Sequence, residues 1–486
     1  MLSPFNLIEY LCNIKPIDKT MTMNDDTICA ISTPAGVGGI AVARVSGKDA
    51  IMLVDKIWKG KSLTKADSHT AHLGTIVDEH GEAIDQAVAT VFRNPRSFTG
   101  EDVVELAVHG SRWVQRELIN LLVRTGCRIA DAGEFTRRAF ANGRMDLAEA
   151  EAVADVIASS SRAAHRIAMS QMRGDFSRRL TDLHDQLLNL ASLLELELDF
   201  SEEEVEFASR EKLLNLAQEI HSVVSRLAST FATGSAIKDG VPVAIVGETN
   251  AGKSTLLNQL LHEDRAIVSD IHGTTRDVIE DTIEIGDTLF RFIDTAGLRE
   301  TTDVIESLGI ERTINKLTDA RIVLWVIDSA TTPAQLESVA KRVLPHTSAD
   351  QAIIVALNKI DINAENVEAL QNALNEILPQ GAIVAPISAK QGDKIETLQQ
   401  HLINASGSAD IAPGEVMVTN ARHYQALALA SDSIARAIDG LSMGLSGDFI
   451  AQDIRETLHH LGEITGTITS QDILTTIFSR FCIGKT

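Results

Sequence analysis

The stretch Gly247–Ser254, GETNAGKS, lies between the apolar run Val241–Val246 and a helical pattern that begins near Thr255. A strand, a G-x-x-x-x-G-K-[ST] turn and a helix in this order are typical of a phosphate-binding P-loop. Its glycines let successive backbone N–H groups point inward, and the N-terminus of the helix adds positive potential. Lys253 then reaches the outer phosphates, and the Ser254 hydroxyl ligates magnesium. The stretch predicts a nucleotide site in an α/β domain.

Three later segments predict which nucleotide binds. Each follows a strand-like apolar run: Asp294–Gly297 (DTAG), Asn358–Asp361 (NKID) and Ser388–Lys390 (SAK). The first supplies a carboxylate for the magnesium shell and a glycine N–H for the terminal phosphate. Asp361 can accept from both N1–H and the 2-amino group of guanine, a donor pair that adenine lacks, and the SAK segment is suited to brace the base. Because open α/β sheets bind ligands at the carboxyl ends of their strands, the four segments predict a GTP-binding domain.

The segment Ser269–Asp277 (SDIHGTTRD) is predicted to form the first switch loop, in which Thr275 completes the magnesium sphere begun by Ser254. Lys253 is predicted to act catalytically by stabilising charge on the phosphates. The predicted GTP contacts are Asn250, Ala251, Gly252, Lys253, Ser254, Thr255, Ser269, Asp270, Ile271, His272, Gly273, Thr274, Thr275, Asp294, Thr295, Ala296, Gly297, Asn358, Lys359, Asp361, Ser388, Ala389 and Lys390.

Position 298 indicates unusual hydrolytic chemistry. Leu298 follows the DTAG segment, where Ras-like enzymes place a glutamine that orients the attacking water. An apolar side chain cannot orient water, so two substitutes stay open. Asn250 and carbonyls of the switch loop could ligate a monovalent cation beside the phosphates. Arg276 is the rival source of positive charge, although a surface ion pair explains that residue equally well.

Composition restricts the classes of function. A chain of 486 residues, 44% hydrophobic and 4% aromatic, is expected to hold two to four domains with large helical cores. A net charge of −23 argues against a protein coated in nucleic acid, so any RNA contact needs a local basic patch. Four widely spaced cysteines fit a reduced cytosol and no metal motif. With no apolar run of transmembrane length and no signal peptide, we expect a cytoplasmic protein without a membrane anchor.

Hydrophobic periodicity predicts a multidomain protein that combines α/β and all-α parts. Helical stripes run over 180–194 and 213–227, and the second is expected to end near Thr233–Ser235, which joins it to the G domain. The predicted domains are an N-terminal extension of no assigned function (1–24), an α+β domain (25–141), the first part of a split helical bundle (142–235), an inserted Ras-like P-loop G domain (236–405), and the second part of the bundle with the C-terminal tail (406–486).

These features together resemble the tRNA modification GTPases of the MnmE (TrmE) family. The similarity rests on the asparagine in the P-loop, on Gly273–Asp277 (GTTRD) and on the tail Phe481–Lys485 (FCIGK), and it extends from about Asp25 to Lys485. It implies a homodimer formed through a folate-binding N-terminal domain. It also implies a heterotetramer with the flavoprotein MnmG (GidA). This complex installs an aminomethyl or carboxymethylaminomethyl group at carbon 5 of the wobble uridine in certain tRNAs.

The resemblance also implies roles for individual residues. Potassium would be ligated by Asn250, Ser269, Ile271 and Thr274, and Glu306 would position the attacking water. The one-carbon unit would come from a tetrahydrofolate derivative, in the 5,10-methylene or 5-formyl form. The folate pocket would be formed by Arg44, Glu101, Arg144 and Lys485. Cys482 in the tail would have either a chemical role or that of a small buried apolar residue.

Two other classes of function make different predictions about the sequence and the activity. A ribosome-assembly GTPase of the Era or Der class shares the G-domain segments, but it predicts a basic KH-like domain or tandem G domains, and the sequence shows neither. A non-catalytic scaffold switched by GTP predicts very slow hydrolysis that is insensitive to potassium, and no bound folate.

Overall fold

The computed structural model describes residues 26–199, 209–248, 250–263, 281–293, 317, 320–407, 415–479 and 481. Internal contacts divide the chain into two compact units. The first contains the described residues up to Ile157, those in Met169–Val224 and those from Ala426 onward. The second contains the described residues in Ala158–Ala168 and Ser225–Gln425. In the described ranges, no helix combines the length and apolar character needed to cross a bilayer.

A seven-stranded sheet forms the centre of the first unit. Its strands are β1 (Ile28–Ile31), β2 (Gly38–Ser46), β3 (Trp58–Gly60), β4 (Thr70–Val77), β5 (Ala83–Phe92), β6 (Val103–Gly110) and β7 (Arg128–Ile129). The spatial order is β3-β4-β5-β6-β2-β1-β7. Neighbouring strands are antiparallel except β1 and β7, which are parallel. The short strand β3 therefore forms one edge of the sheet.

The helices of the chain follow the apolar periodicity of the sequence. They are α1 (Ala50–Asp55), α2 (Arg112–Thr125), α3 (Glu134–Ala141), α4 (Leu147–Ala158), α5 (Arg162–Met172), α6 (Asp175–Asp199), α7 (Arg210–Ser229), α8 (Phe231–Asp239), α9 (Lys253–Glu263), α10 (Pro333–Val343), α11 (Val367–Ile377), α12 (Ile395–Ser406), α13 (Ala421–Met443), α14 (Gly447–Thr465) and α15 (Gln471–Ser479). The predicted stripe at 180–194 is buried along α6. Helices α1 and α2 cover one face of the sheet in the first unit, where Leu53 and Leu118 join its apolar core.

A doubly wound α/β sheet forms the centre of the second unit. Its strands are β8 (Val241–Val246), β9 (Asp281–Ile285), β10 (Thr288–Ile293), β11 (Ile322–Asp328), β12 (Ala352–Asn358) and β13 (Ile383–Pro386). The order is β13-β12-β11-β8-β10-β9, and only β9 is antiparallel to its neighbour. Helices α9 and α12 pack on one face through residues such as Leu257 and Leu398. Helices α10 and α11 pack on the other through residues such as Leu336 and Leu370.

The multidomain fold of α/β and helical parts is confirmed, while one local prediction differs from the structure. The segment Thr233–Ser235 is not a linker, because α8 runs through it to Asp239. Strand β11 has no counterpart among the strands predicted from sequence. The five predicted domain ranges remain a prediction.

Candidate functional site

The P-loop adopts a tight turn whose glycines admit no side chain. Gly247 has a φ of +152°, and a Cβ there would lie 2.2 Å from the Val326 carbonyl oxygen. Gly252 has a φ of +97°, and its Cβ would lie 2.2 Å from the Asn358 Nδ2 atom. Asn250 adopts a left-handed φ of 65° without being glycine. A backbone held this close to its neighbours leaves its amide groups in a fixed arrangement at the start of α9, which suits an anion.

Lys253 is the first residue of α9, and its ammonium group turns back over the loop. The Nζ atom donates to the carbonyl oxygens of Gly247 and Glu248, both at 2.7 Å. Burial lowers the pKa of Lys253, while the carboxylate of Glu248 acts in the opposite direction. A partly desolvated ammonium group beside the loop interacts more strongly with phosphate than one in bulk water does.

Asn358 connects the P-loop to the SAK segment. It ends β12 and is 2% exposed. Its Nδ2 atom donates to the Ala251 carbonyl oxygen at 2.9 Å, and its Oδ1 atom accepts from the Ala389 N–H at 2.9 Å. One buried amide therefore fixes the phosphate side of the site relative to the base side.

The predicted base-reading carboxylate is oriented by a neighbour from the SAK segment. The buried Ser388 hydroxyl donates to Oδ1 of Asp361 at 2.7 Å. Lys359, with a φ of 66°, forms an ion pair with Oδ2 of Asp328 at 2.6 Å. Asp361 itself is exposed and so open to a ligand. This arrangement holds one carboxylate acceptor in place at the predicted base site.

A second cluster of predicted site residues lies in the first unit. Arg44 on β2 forms an ion pair with Glu105 on β6 at 2.8 Å, and its guanidinium carbon lies 5.2 Å from the ring centre of Phe98 and 5.6 Å from that of Phe135. Its Nη1 atom is buried and has no hydrogen-bond partner within the described ranges. A desolvated, unsatisfied cationic donor beside aromatic rings is costly without a ligand and indicates a binding site.

Glu101 lies towards the end of the loop that also carries Phe98, in a network of charged side chains. It accepts from Ser46 Oγ at 2.7 Å and from Arg138 Nη1 at 3.1 Å. Arg138 also pairs with Asp26 and with Glu134, which is 2% exposed. Bonds to Arg128, Asp131 and Arg138 oppose the effect of burial on Glu134 and hold its pKa below the usual range. The bonds from Ser46 and Arg138 hold the carboxylate of Glu101 in one position.

Family models and curated relatives agree on the kinship of this chain. The model described as "GTP-binding protein TrmE N-terminus" matches residues 27–144, and "MnmE helical domain" matches 147–482. The protein named "tRNA modification GTPase MnmE" from Bacteroides thetaiotaomicron is 52% identical over 95% of this chain and 100% of its own length. That from Bacteroides fragilis is 53% identical over the same shares. This chain belongs to the MnmE family of tRNA modification GTPases.

Solved structures offer a weaker comparison for this MnmE family member. A structure of Era in complex with MgGDPNP and nucleotides 1506-1542 of 16S ribosomal RNA is 28% identical. The match covers 40% of this chain and 66% of that one, with a TM-score of 0.27. We draw nothing further from a likeness at that score.

Within this MnmE family member, the structure brings together Ala251, Asn358 and Ala389, and separately Asp361 and Ser388. Arg144 is exposed, and its Cγ atom lies 3.1 Å from where a Cβ on Gly100 would stand, so it flanks the loop that carries Glu101. Other predicted residues lie outside the described ranges: Ser269, Asp270, Ile271, His272, Gly273, Thr274, Thr275, Asp294, Thr295, Ala296, Gly297, Glu306, Cys482 and Lys485.

Sequence reasoning missed several residues that shape both sites. Asp328 was missed together with β11, although the continuous apolar run of that strand was a usable signal. Glu105 faces Arg44 only because β2 and β6 pair in one particular register. Arg138 and Glu134 are spaced four residues apart on α3, which is also the pattern of an ordinary surface pair.

Proposed function

We propose that this chain is a GTP hydrolase that acts in tRNA modification. With the flavoprotein MnmG it would install an aminomethyl or carboxymethylaminomethyl group at carbon 5 of the wobble uridine. The observation that carries the proposal is similarity to proteins named "tRNA modification GTPase MnmE" over their entire length and 95% of this chain. The geometry of the second unit supports GTP binding independently. Asn358 connects the P-loop to the SAK segment, and Ser388 of that segment orients Asp361.

The residues present fit a guanine nucleotide with magnesium. Gly252 has no room for a Cβ atom. Because no side chain covers the loop at this position, its backbone amides can approach phosphate oxygens closely. Lys253 would exchange its two carbonyl acceptors for the outer phosphates, and Ser254 and Thr275 would hold magnesium. Asp361, oriented by Ser388, would accept from the base. Bound magnesium would supply positive charge against the phosphate oxygens.

We further propose that hydrolysis depends on potassium and on Glu306. Asn250 is exposed in the left-handed conformation at the tip of the loop, where its amide oxygen is free to turn toward a cation. Ser269, Ile271 and Thr274 would complete that shell. Glu306 would orient the attacking water in place of the glutamine that Leu298 replaces. Removal of such a group normally lowers turnover by about 10² or more while substrate affinity changes little.

A tetrahydrofolate derivative fits the cluster around Arg44. The unsatisfied Nη1 donor and the adjacent Phe98 and Phe135 rings suit a flat, polar heterocycle with acceptor atoms. The fixed carboxylate of Glu101 would accept from N–H donors of that ring. Arg144 and Lys485 would attract the glutamate carboxylates. The bound folate would supply the one-carbon unit, and Cys482 in the same tail remains a candidate for a role close to that chemistry.

The proposed working assembly is a homodimer that binds MnmG and tRNA in the cytoplasm. Its dimer contact is assigned to the N-terminal α+β domain (25–141), and the G domain (236–405) is assigned to an insertion in the helical bundle (142–235 and 406–486). No membrane takes part.

Nucleoside mass spectrometry of bulk tRNA tests the proposal. A strain without this gene should lack the aminomethyl-type wobble uridines at carbon 5. The wild-type gene should restore them, and Glu306→Ala should not. An unchanged nucleoside profile in the deletion strain would remove tRNA modification and favour ribosome assembly.

A further inference from the structure

One edge of the sheet in the first unit is basic in an otherwise acidic chain. The net charge is −23, with 67 aspartates and glutamates against 44 lysines and arginines. The segment 56–66 at strand β3, however, carries four lysines and no acidic residue, and two arginines follow strand β5. We call this set the basic edge, and its members are Lys56, Lys59, Lys61, Lys65, Arg93 and Arg96.

The charges of the basic edge are not neutralised by neighbours. The four lysines and Arg96 are exposed, and none forms an ion pair with a carboxylate that the structure describes. Asp55 lies next to them, but its oxygens accept from the Ser62 hydroxyl at 3.1 Å and the Leu63 N–H at 2.6 Å. Asp67 is exposed and likewise makes no described ion pair. Asp78 and Asp102 also come near this edge, and their described bonds accept from backbone N–H groups. The lysines of segment 56–66 therefore keep their charges free for a ligand.

The backbone that carries these lysines is held in place. Leu63 is fully buried, and Trp58 is 8% exposed and donates its indole N–H to the Lys61 carbonyl oxygen at 3.2 Å. The Arg93 guanidinium donates to the carbonyl oxygens of Thr64 and Ala66 at 2.9 to 3.1 Å. Because the backbone is already fixed, only the lysine side chains need to be ordered when a ligand binds, which lowers the ordering cost.

Protection against edge-to-edge sheet pairing is the ordinary explanation for lysine on an edge strand. It accounts for Lys59, which lies in the three-residue strand β3. It does not account for Lys56, which follows α1, or for Lys61 and Lys65, which lie in the turn beyond the strand. Protection of the edge strand therefore does not explain why Lys56, Lys61 and Lys65 are basic.

One loop of the chain connects the basic edge to the cluster around Arg44. A single loop connects β5 to β6, and Arg93 and Arg96 lie at its start, whereas Phe98 and Glu101 lie towards its end. Strand β3 lies four places from β2 in the sheet, roughly 19 Å away, so a polyanion longer than that would reach from the edge to the proposed folate site.

We infer that the basic edge binds the sugar–phosphate backbone of the tRNA substrate. The inference rests on the proposed function, to which it adds a contact surface. Lysines on flexible stems contact phosphates as point charges without reading sequence, which suits an enzyme that acts on several RNAs of similar shape. An RNA that reaches from the edge to Glu101 would also lie near the one-carbon site.

The test compares two triple variants of the full chain that lose the same charge. Lys59→Gln/Lys61→Gln/Lys65→Gln changes the basic edge. The control Lys212→Gln/Lys341→Gln/Arg342→Gln changes exposed residues elsewhere. Binding of unmodified tRNA transcript is measured by fluorescence anisotropy over a range of potassium chloride concentrations, and GTP hydrolysis without RNA is measured in parallel.

The edge variant should bind at least about tenfold more weakly near 0.1 M salt, and its slope of log affinity against log salt should shrink by about 2 to 3. The control should stay within about twofold of wild type, and Lys59→Arg/Lys61→Arg/Lys65→Arg should bind normally, because both keep the edge charges. RNA-free hydrolysis should be unchanged in all variants. Equal binding by both Gln variants would overturn the inference and leave the proposed function intact. A wild-type protein that binds no tRNA would count against both.

Discussion

At the scale of the residue, the most specific assignment is that of Asp361 to the guanine base. Ser388 fixes one carboxylate oxygen, so the other is available to accept from the base. Asp361→Asn should lower GTP affinity by about 10² because the amide nitrogen would oppose the 2-amino group of guanine. The same amide should improve binding of xanthosine triphosphate, which has a carbonyl at that position.

Isothermal titration with both nucleotides measures this change of specificity. Asp393→Asn is the matched control, because Asp393 is an exposed carboxylate that pairs with Ser388 through the backbone only. Its nucleotide affinities should stay near wild type. Unaltered GTP binding by Asp361→Asn would mean that the base lies elsewhere.

The ionisation of Glu134 should make the stability of the first unit depend on pH. The pKa of Glu134 is held below the usual value near 4.5 in the folded protein, so its ionisation stabilises the fold above that value, and the contribution is lost as pH falls through the lower folded pKa. Glu134→Gln should cost about 3 to 5 kcal/mol of local unfolding free energy at neutral pH, because it breaks a buried ion pair. Below about pH 4.5 the difference from wild type should shrink.

Hydrogen exchange of the peptide that contains α3 measures this local stability in the full chain. Glu117→Gln is a suitable control, since that glutamate pairs with Arg124 on the surface and should show only a small effect. A difference between wild type and Glu134→Gln that stayed constant from neutral to acidic pH would contradict the assigned ionisation.

At the scale of the element, Gly234 decides how α8 packs. Alanine in a helix is normally favoured over glycine by about 1 kcal/mol. Here its Cβ would lie 2.2 Å from the Val418 carbonyl oxygen, a backbone atom that cannot move aside easily. Gly234→Ala should therefore destabilise α8 by about 1 to 3 kcal/mol despite the better propensity.

Hydrogen exchange along α8 reports this effect directly. Gly440→Ala in α13 is the comparison, because the nearest atom to its Cβ is the flexible Ile450 side chain at 3.2 Å. That variant should change the protection of its own helix much less. Protection of α8 that is equal or higher in Gly234→Ala would show that the close approach to Val418 is not present.

The elements also explain which features the sequence could predict. The P-loop is a local motif, so its strand, turn and helix follow from adjacent residues such as Gly247 and Lys253. The apolar stripe over 180–194 likewise predicted the buried face of α6. The ion pair of Arg44 with Glu105 joins positions 61 residues apart, and it depends on a strand register that composition does not specify. Ser388 could be placed beside Asp361 only after the order of β12 and β13 was known.

At the scale of the whole molecule, one chain contains two candidate sites. The second unit contains the joined phosphate and base segments, and the first contains the unsatisfied Arg44 with the fixed carboxylate of Glu101. The central claim is that GTP hydrolysis at one site is required for one-carbon transfer to tRNA at the other.

The most direct test is a reconstitution with isotopically labelled one-carbon tetrahydrofolate. The purified chain, MnmG, unmodified tRNA, GTP and either ammonium or glycine are combined in potassium buffer, and the tRNA nucleosides are analysed by mass spectrometry. We expect label at carbon 5 of the wobble uridine with the wild-type chain, and little label with Glu306→Ala or when sodium replaces potassium. Label that appears equally with Glu306→Ala, or none with the wild-type chain and its partner, would contradict the account.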